Sequence, residues 1–212
     1  MQAEGPPLEE GAAASGDRPA GEGGTTGGSS LQDVYRRLVD SVPESKLVTS
    51  CVAGLIWSLV RVDEDAGLAA TLQDGVMTSD LAGNLDGLPA RTLAGRISSW
   101  NMFEACVGLA TVNACCNRRE DLEGLLARPI VPGERSRLFE RLSRAFEGAR
   151  VAVIGRFPGL EPLAERCRLV VLERSPLGAE LPDQACEYVL GQQDCVVITG
   201  SAIANKTLPR LL

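Results

Sequence analysis

Histidine is absent from the 212 residues of this chain. That removes the commonest metal ligand and the commonest general base at neutral pH. Any catalysis would have to use lysine, a carboxylate, a thiol or a cofactor, and whether there is catalysis stays open. No two of the seven cysteines stand in a CxxC spacing, so a structural zinc site has no support. An odd number of thiols without an export signal reads as reduced cysteine and a cytoplasmic location. Nowhere does an apolar run approach the roughly 18 residues of a membrane span, and no membrane partner is expected. A basic face is missing too: the net charge is −7, which excludes a nucleic-acid partner held through phosphates. Much of that charge lies in residues 1–30, where Glu4, Glu9, Glu10, Asp17 and Glu22 face the single base Arg18.

What is present divides the chain into four parts. Residues 1–30 are rich in Gly, Ala, Glu and Ser, and such a segment buries too little apolar surface to offset its ordering entropy, so disorder is expected. Residues 31–118 read as a small α+β domain. Leu31, Val34, Tyr35, Leu38 and Val42 form one helical stripe closed by Pro43. KLVTSCVAGLIWSLVRV and GLAATLQD then read as two strands separated by the turn DEDAG. LPARTLAGRI and SSWNMFEACVGLATVNACCN read as helices, the second apolar nearly all round, with Ala105, Gly108, Ala110 and Ala114 suiting close packing. Residues 119–149 read as a helical linker whose stripe, Leu138, Leu142 and Phe146, ends at Gly148. From 150 to 212, the continuous apolar runs VAVIG, RLVVLE and DCVVITG alternate with short helices, which is the pattern of parallel βαβ units covered on both faces. Three strands make half of a doubly wound sheet, and the expectation is a domain cut short at its C-terminus.

Two motifs invite nucleotide readings. IGRFPG follows the first strand but lacks the middle glycine of a dinucleotide fingerprint, and Phe157 fills the space a pyrophosphate needs. Glu173 stands near the distance at which such folds hold a ribose hydroxyl, which leaves a nucleoside-type cofactor open. GSAIANKT misses the P-loop pattern by one letter, with Asn205 in place of glycine. No Walker-B acid accompanies it, and Pro209 sets a helix start near Asn205–Thr207, with Asn205 or Thr207 as its cap. Two further features suit a ligand: Glu104, a carboxylate in an apolar helix that must be paired or face a cleft, and Cys115–Cys116 beside Asn117, the pair best placed for a soft metal.

SSWNMFEACVGLATVNACCN followed by VAVIGRFPGLEPL, VVLERSP, LPDQACEYVL and DCVVITGSAIANKTLPRLL resembles the heavy-metal chelation family. The resemblance spans roughly residues 32–212. It implies an α/β fold: a small domain like the N-terminal domain of enolase, joined to a Rossmann-like parallel-sheet domain that in the family continues with more strands. It also implies an inter-domain pocket. Glu104 and Asn113 would line it from the helix, with Gly155, Phe157 and Pro158 from the first turn. Glu173 and Arg174 would come from the second turn, and Thr199, Gly200, Ser201, Asn205 and Lys206 from the third. The expected function is binding of a small anionic ligand, a heavy metal ion or a metal chelate at the strand ends, with Lys206 supplying charge and Glu173 a polar or metal contact. A small-metabolite enzyme with a nucleoside-type cofactor, or an inactive shortened copy, are the alternatives. A homo-oligomer is left open.

Overall fold

The computed structural model describes residues 31–72, 79–81, 83–126 and 137–212. The segment 1–30, expected to be disordered, lies outside them. Helix α1, Leu31–Asp40, turns its stripe inward through Tyr35, Leu38 and Val39, with Val42 buried just beyond it. An antiparallel meander follows: β1 Val48–Ala53, β2 Trp57–Val62 and β3 Asp65–Ala70, in the order β1-β2-β3.

The long apolar run expected as one strand is thus two. It breaks at 54–56, where Gly54 N donates to Trp57 O at 2.9 Å. Leu55 and Ile56 are 82% and 69% exposed at this tip, so apolar residues occupy a turn that usually carries polar ones. The second turn is tight: Asp63 takes φ +49, and Lys46 Nζ holds its carboxylate at 2.8 Å.

Helix α2, Ala90–Ala94, runs into a 3₁₀ turn at Gly95–Ser98. Helix α3, Met102–Cys116, packs against β2 and β3 and supplies the largest share of the first core. Its N-cap is Asn101, whose side chain accepts from Phe103 N (3.1 Å) and Glu104 N (3.4 Å). Two glycines allow its backbone close approach. A Cβ on Gly67 of β3 would sit 2.1 Å from Ala110 O, and one on Gly108 the same distance from Ile97 N.

Helices α4, Arg119–Leu126, and α5, Leu138–Ala145, lead to the second sheet. Leu138 is 47% exposed, so the inward stripe is half-buried Phe139 and Leu142 of α5 with Phe146 at its end, one residue out of the expected phase at its start. Then come β4 Arg150–Ile154, α6 Glu161–Arg166, β5 Arg168–Glu173, β6 Leu181–Pro182, α7 Cys186–Val189, β7 Cys195–Ile198, α8 Ser201–Ala204 and α9 Leu208–Leu211. All pairs are parallel, in the order β6-β5-β4-β7. The sequence reading has three strands here. The fourth, β6, is two residues long and lies inside a segment that reads as helix.

Central β4 is buried on both faces, which explains its uninterrupted apolar run. Ala152 and Ile154 join one cluster, Val151 and Val153 another roofed by α5 and α6. The two sheets share a packed boundary. Ala204 and Ile203 of α8 belong to the first core, and Tyr35 donates its hydroxyl to Ile203 O at 2.8 Å.

Candidate functional site

The chain leaves β4 toward β5 on one side and reaches β7 on the other, so the C-terminal ends of β4 and β7 flank a topological switch point. In open parallel sheets that is where ligands sit. A cavity of about 650 Å³ opens there, its rim completed by Trp57 and Ala70 of the antiparallel sheet and by Leu72 just past β3.

The first wall is the turn after β4. Gly155 takes φ +98, and a Cβ there would lie 2.8 Å from Thr199 Cγ2. Only glycine lets the two strand ends approach this closely. Phe157 turns its ring edge to Phe139, centroids 5.6 Å apart, and Pro158 follows it along the wall.

The second wall is the turn after β5. Glu173 accepts from Arg156 N (2.8 Å) through one carboxylate oxygen and from Arg174 N (2.9 Å) through the other. Both oxygens thus serve to shape the loops. Arg156 also grips Glu180 through Nε (2.9 Å) and donates to Ser175 O (2.9 Å). The guanidinium holds the Glu180 carboxyl down at about 2, so this clamp persists well into acid.

The third wall follows β7. Helix α8 starts at Ser201 with Gly200 at its N-cap, so GSAIANKT has no open loop to wrap a phosphate. Helix α8 is an extra turn of helix ahead of the one that the sequence places near Asn205–Thr207, which is α9. Thr207 does stand at the N-cap of α9, without a capping side-chain bond. Asn205 Oδ1 accepts from Thr207 N (3.0 Å) and Thr207 Oγ1 (2.7 Å), while Thr199 and Ser201 share a hydroxyl pair at 3.0 Å.

Of the residues expected at a pocket, the cavity gathers Gly155, Phe157 and Pro158, Glu173 and Arg174, and Thr199, Ser201 and Asn205. Glu104, Asn113, Gly200 and Lys206 lie outside its lining. Glu104 is buried and accepts from Ser79 (2.9 Å) and Arg96 (3.3 Å). Burial alone would push its carboxyl up. The hydroxyls of Ser99 and Ser79 with the Arg96 charge outweigh that and hold it below the usual carboxylate range. Asn113 donates to Leu68 O at 2.8 Å, tying α3 to β3. The sequence reading omits the wall residues Trp57, Leu72, Asp183 and Arg210. Asp183 follows β6, a strand of two residues that leaves no pattern in the sequence, so no local signal points to it.

Lys206 works at the boundary between the sheets. It adopts φ +66, donates from Nζ to Ile97 O (2.6 Å) and Ala204 O (3.0 Å), and lies 5.2 Å from the centre of the Tyr35 ring. Burial pushes its pKa down to about 8. Between that value and the ordinary 10.5, the unfolded chain binds the extra proton, so this residue's contribution to stability rises with pH across that window. The stability difference between the native chain and Lys206→Met, measured by urea unfolding, should therefore grow in favour of the native chain from pH 8 to 10. A flat difference would mean that burial does not lower the Lys206 pKa.

Among the described residues the donors do not gather into a heavy-metal cage: no three Cys, Asp or Glu side chains converge. Burial pushes the thiols of Cys51, Cys106, Cys186 and Cys195 up, and that of Cys115 to about 11, so they stay protonated at neutral pH. Cys116 Sγ lies 3.1 Å from Ser41 Oγ.

A protein of unknown function from Desulfitobacterium hafniense, assigned to the DUF364 family, superposes with a TM-score of 0.76 at 34% identity, over 85% of this chain and 72% of its own. This chain belongs to the DUF364 family. A second DUF364 protein of unknown function, from Pyrococcus horikoshii, shares the fold at TM-score 0.65 and 19% identity, over 86% of this chain and 73% of its own. DUF364, described as "Putative heavy-metal chelation", matches residues 137–212, and a companion family with the same description matches residues 35–116. No curated protein matches the chain. Among the described residues no helix is long and apolar enough to cross a membrane.

Proposed function

We propose that this DUF364 protein binds a small anionic, metal-chelating molecule in the cavity where β4 and β7 diverge. One observation carries the reading: a switch-point cavity of about 650 Å³ lined by hydroxyl, amide and guanidinium donors. Its two acidic wall residues are already engaged, Glu173 by backbone amides and Asp183 by Arg210. What remains on offer is donors, and donors recognise an anion. The family description adds the link to heavy metals, and because no three-donor cluster forms among the described residues, the reading has metal arrive on the chelator. A nucleoside-type cofactor is the weaker reading, because its anchor, Glu173, spends both oxygens on the chain itself.

Calorimetry on the full chain tests this with Ni(II), Zn(II) and Cu(II) salts alone, then with citrate and salicylate. The expected result is saturable binding of at least one organic anion and no stoichiometric uptake of a bare ion. One bare metal ion bound per chain, with both anions silent, would overturn it.

A further inference from the structure

The cavity wall also carries a charged side chain from the last helix. Arg210, on α9, reaches the wall and donates from one Nη to Asp183 Oδ2 at 2.7 Å. Asp183 is 9% exposed, in the 3₁₀ turn after β6. Among the described residues this carboxylate is the one partner recorded for the guanidinium, whose side chain is 35% exposed. A guanidinium is a planar fork with parallel donors, always charged, and matched to a carboxylate or phosphate edge. One arm fixed to a nearly buried acid leaves the other free at a set angle, the preorganisation that recognition of an oxyanion needs. Asn205 lines the same cavity, and with Oδ1 committed to Thr207 the group it can offer a ligand is its amide nitrogen, a donor.

The rest of the wall says what the oxyanion is attached to. Trp57, Leu72 and Phe157 line the same cavity. A fully hydrated polyanion would leave such apolar surface uncovered, whereas a flat apolar body would bury it.

Building on the proposed cavity function, we infer that Arg210, oriented by Asp183, reads the acid group of an amphipathic ligand: an oxyanion carried on a flat, apolar body. Arg210 is the specificity-determining contact and Asp183 its positioning residue.

The test compares salicylate with salicylamide, its neutral counterpart of nearly the same shape, and with phenyl phosphate, by calorimetry on the full chain. The native protein should bind salicylate at least tenfold more tightly than salicylamide. Arg210→Met should abolish that preference while leaving salicylamide binding unchanged, Arg210→Lys should keep part of it, and Asp183→Asn should weaken salicylate by a smaller factor. Should Arg210→Met fail to fold, as judged by circular dichroism, Arg210→Lys and Asp183→Asn carry the comparison. Phenyl phosphate separates the two oxyanions, and tighter binding of either supports the inference. Salicylate bound by native protein and Arg210→Met alike, or salicylamide bound as tightly as salicylate, would overturn it while leaving the cavity reading intact. No saturable signal from any anion with native protein would remove the cavity reading and this inference together.

Discussion

Gly108→Ala should cost about 3 kcal/mol or more and abolish cooperative folding of the first core, although it adds a single methyl group to a helix. Alanine is ordinarily the better helix former by about 1 kcal/mol. Here the new Cβ would sit 2.1 Å from Ile97 N and 2.7 Å from Arg96 C, and both are backbone atoms that no rotamer change can move aside. Either α3 lifts from the 3₁₀ turn or that turn unwinds. Both would disturb Ile97, which is fully buried and whose carbonyl receives Lys206. The cost belongs at the upper end of the overpacking range. Gly124→Ala is the control: a Cβ there meets open space, so the same exchange in α4 should be neutral or stabilising by up to about 1 kcal/mol. Urea unfolding of the two variants measures the contrast. Equal effects would contradict the close approach of α3.

Gly155→Ala should remove ligand binding and lower stability by about 1–3 kcal/mol. Two costs add. At φ +98 any side chain is strained, and the Cβ would lie 2.8 Å from Cγ2 and 2.9 Å from Cβ of Thr199. The strand ends must then part at the point where the cavity is formed. Thr199→Ser in the same chain removes the nearer contact and leaves the other. The double variant should therefore regain part of the stability, and the backbone strain at residue 155 should persist. Full recovery would mean that sterics alone, and no special backbone conformation, demand glycine there.

How much of this was legible depends on whether a feature leaves a pattern in the chain. The small residues of α3 announced tight packing because close backbone contact excludes large side chains at those positions. The apolar run of β4 announced burial on both faces for the same kind of reason. The hairpin at 54–56 was hidden, because Leu55 and Ile56 keep an exposed turn as apolar as the strands beside it. Strand β6 was hidden by its length, since two residues show no period. At the site, the turns after β4, β5 and β7 could be read because every parallel strand delivers its C-terminal residues to one edge. Glu104 reads as a ligand contact because an ion among apolar residues needs a partner, and Lys206 because the family resemblance sets it on the third turn. The structure supplies those partners from within: Ser79, Ser99 and Arg96 for the first, and main-chain carbonyls with the Tyr35 ring for the second. Arg210 and Asp183 escaped because their pairing joins α9 to the turn after β6, which no local pattern records.

The central claim is that the switch-point cavity takes a small organic anion. Amide-resolved NMR of the full chain during a salicylate titration addresses it most directly. The account predicts saturable shifts concentrated on Gly155, Thr199, Ser201 and the Trp57 indole, with α4 and β1 unchanged. Shifts gathered elsewhere, or none at all while a bare Ni(II) salt perturbs the thiol-bearing helix α3, would contradict it.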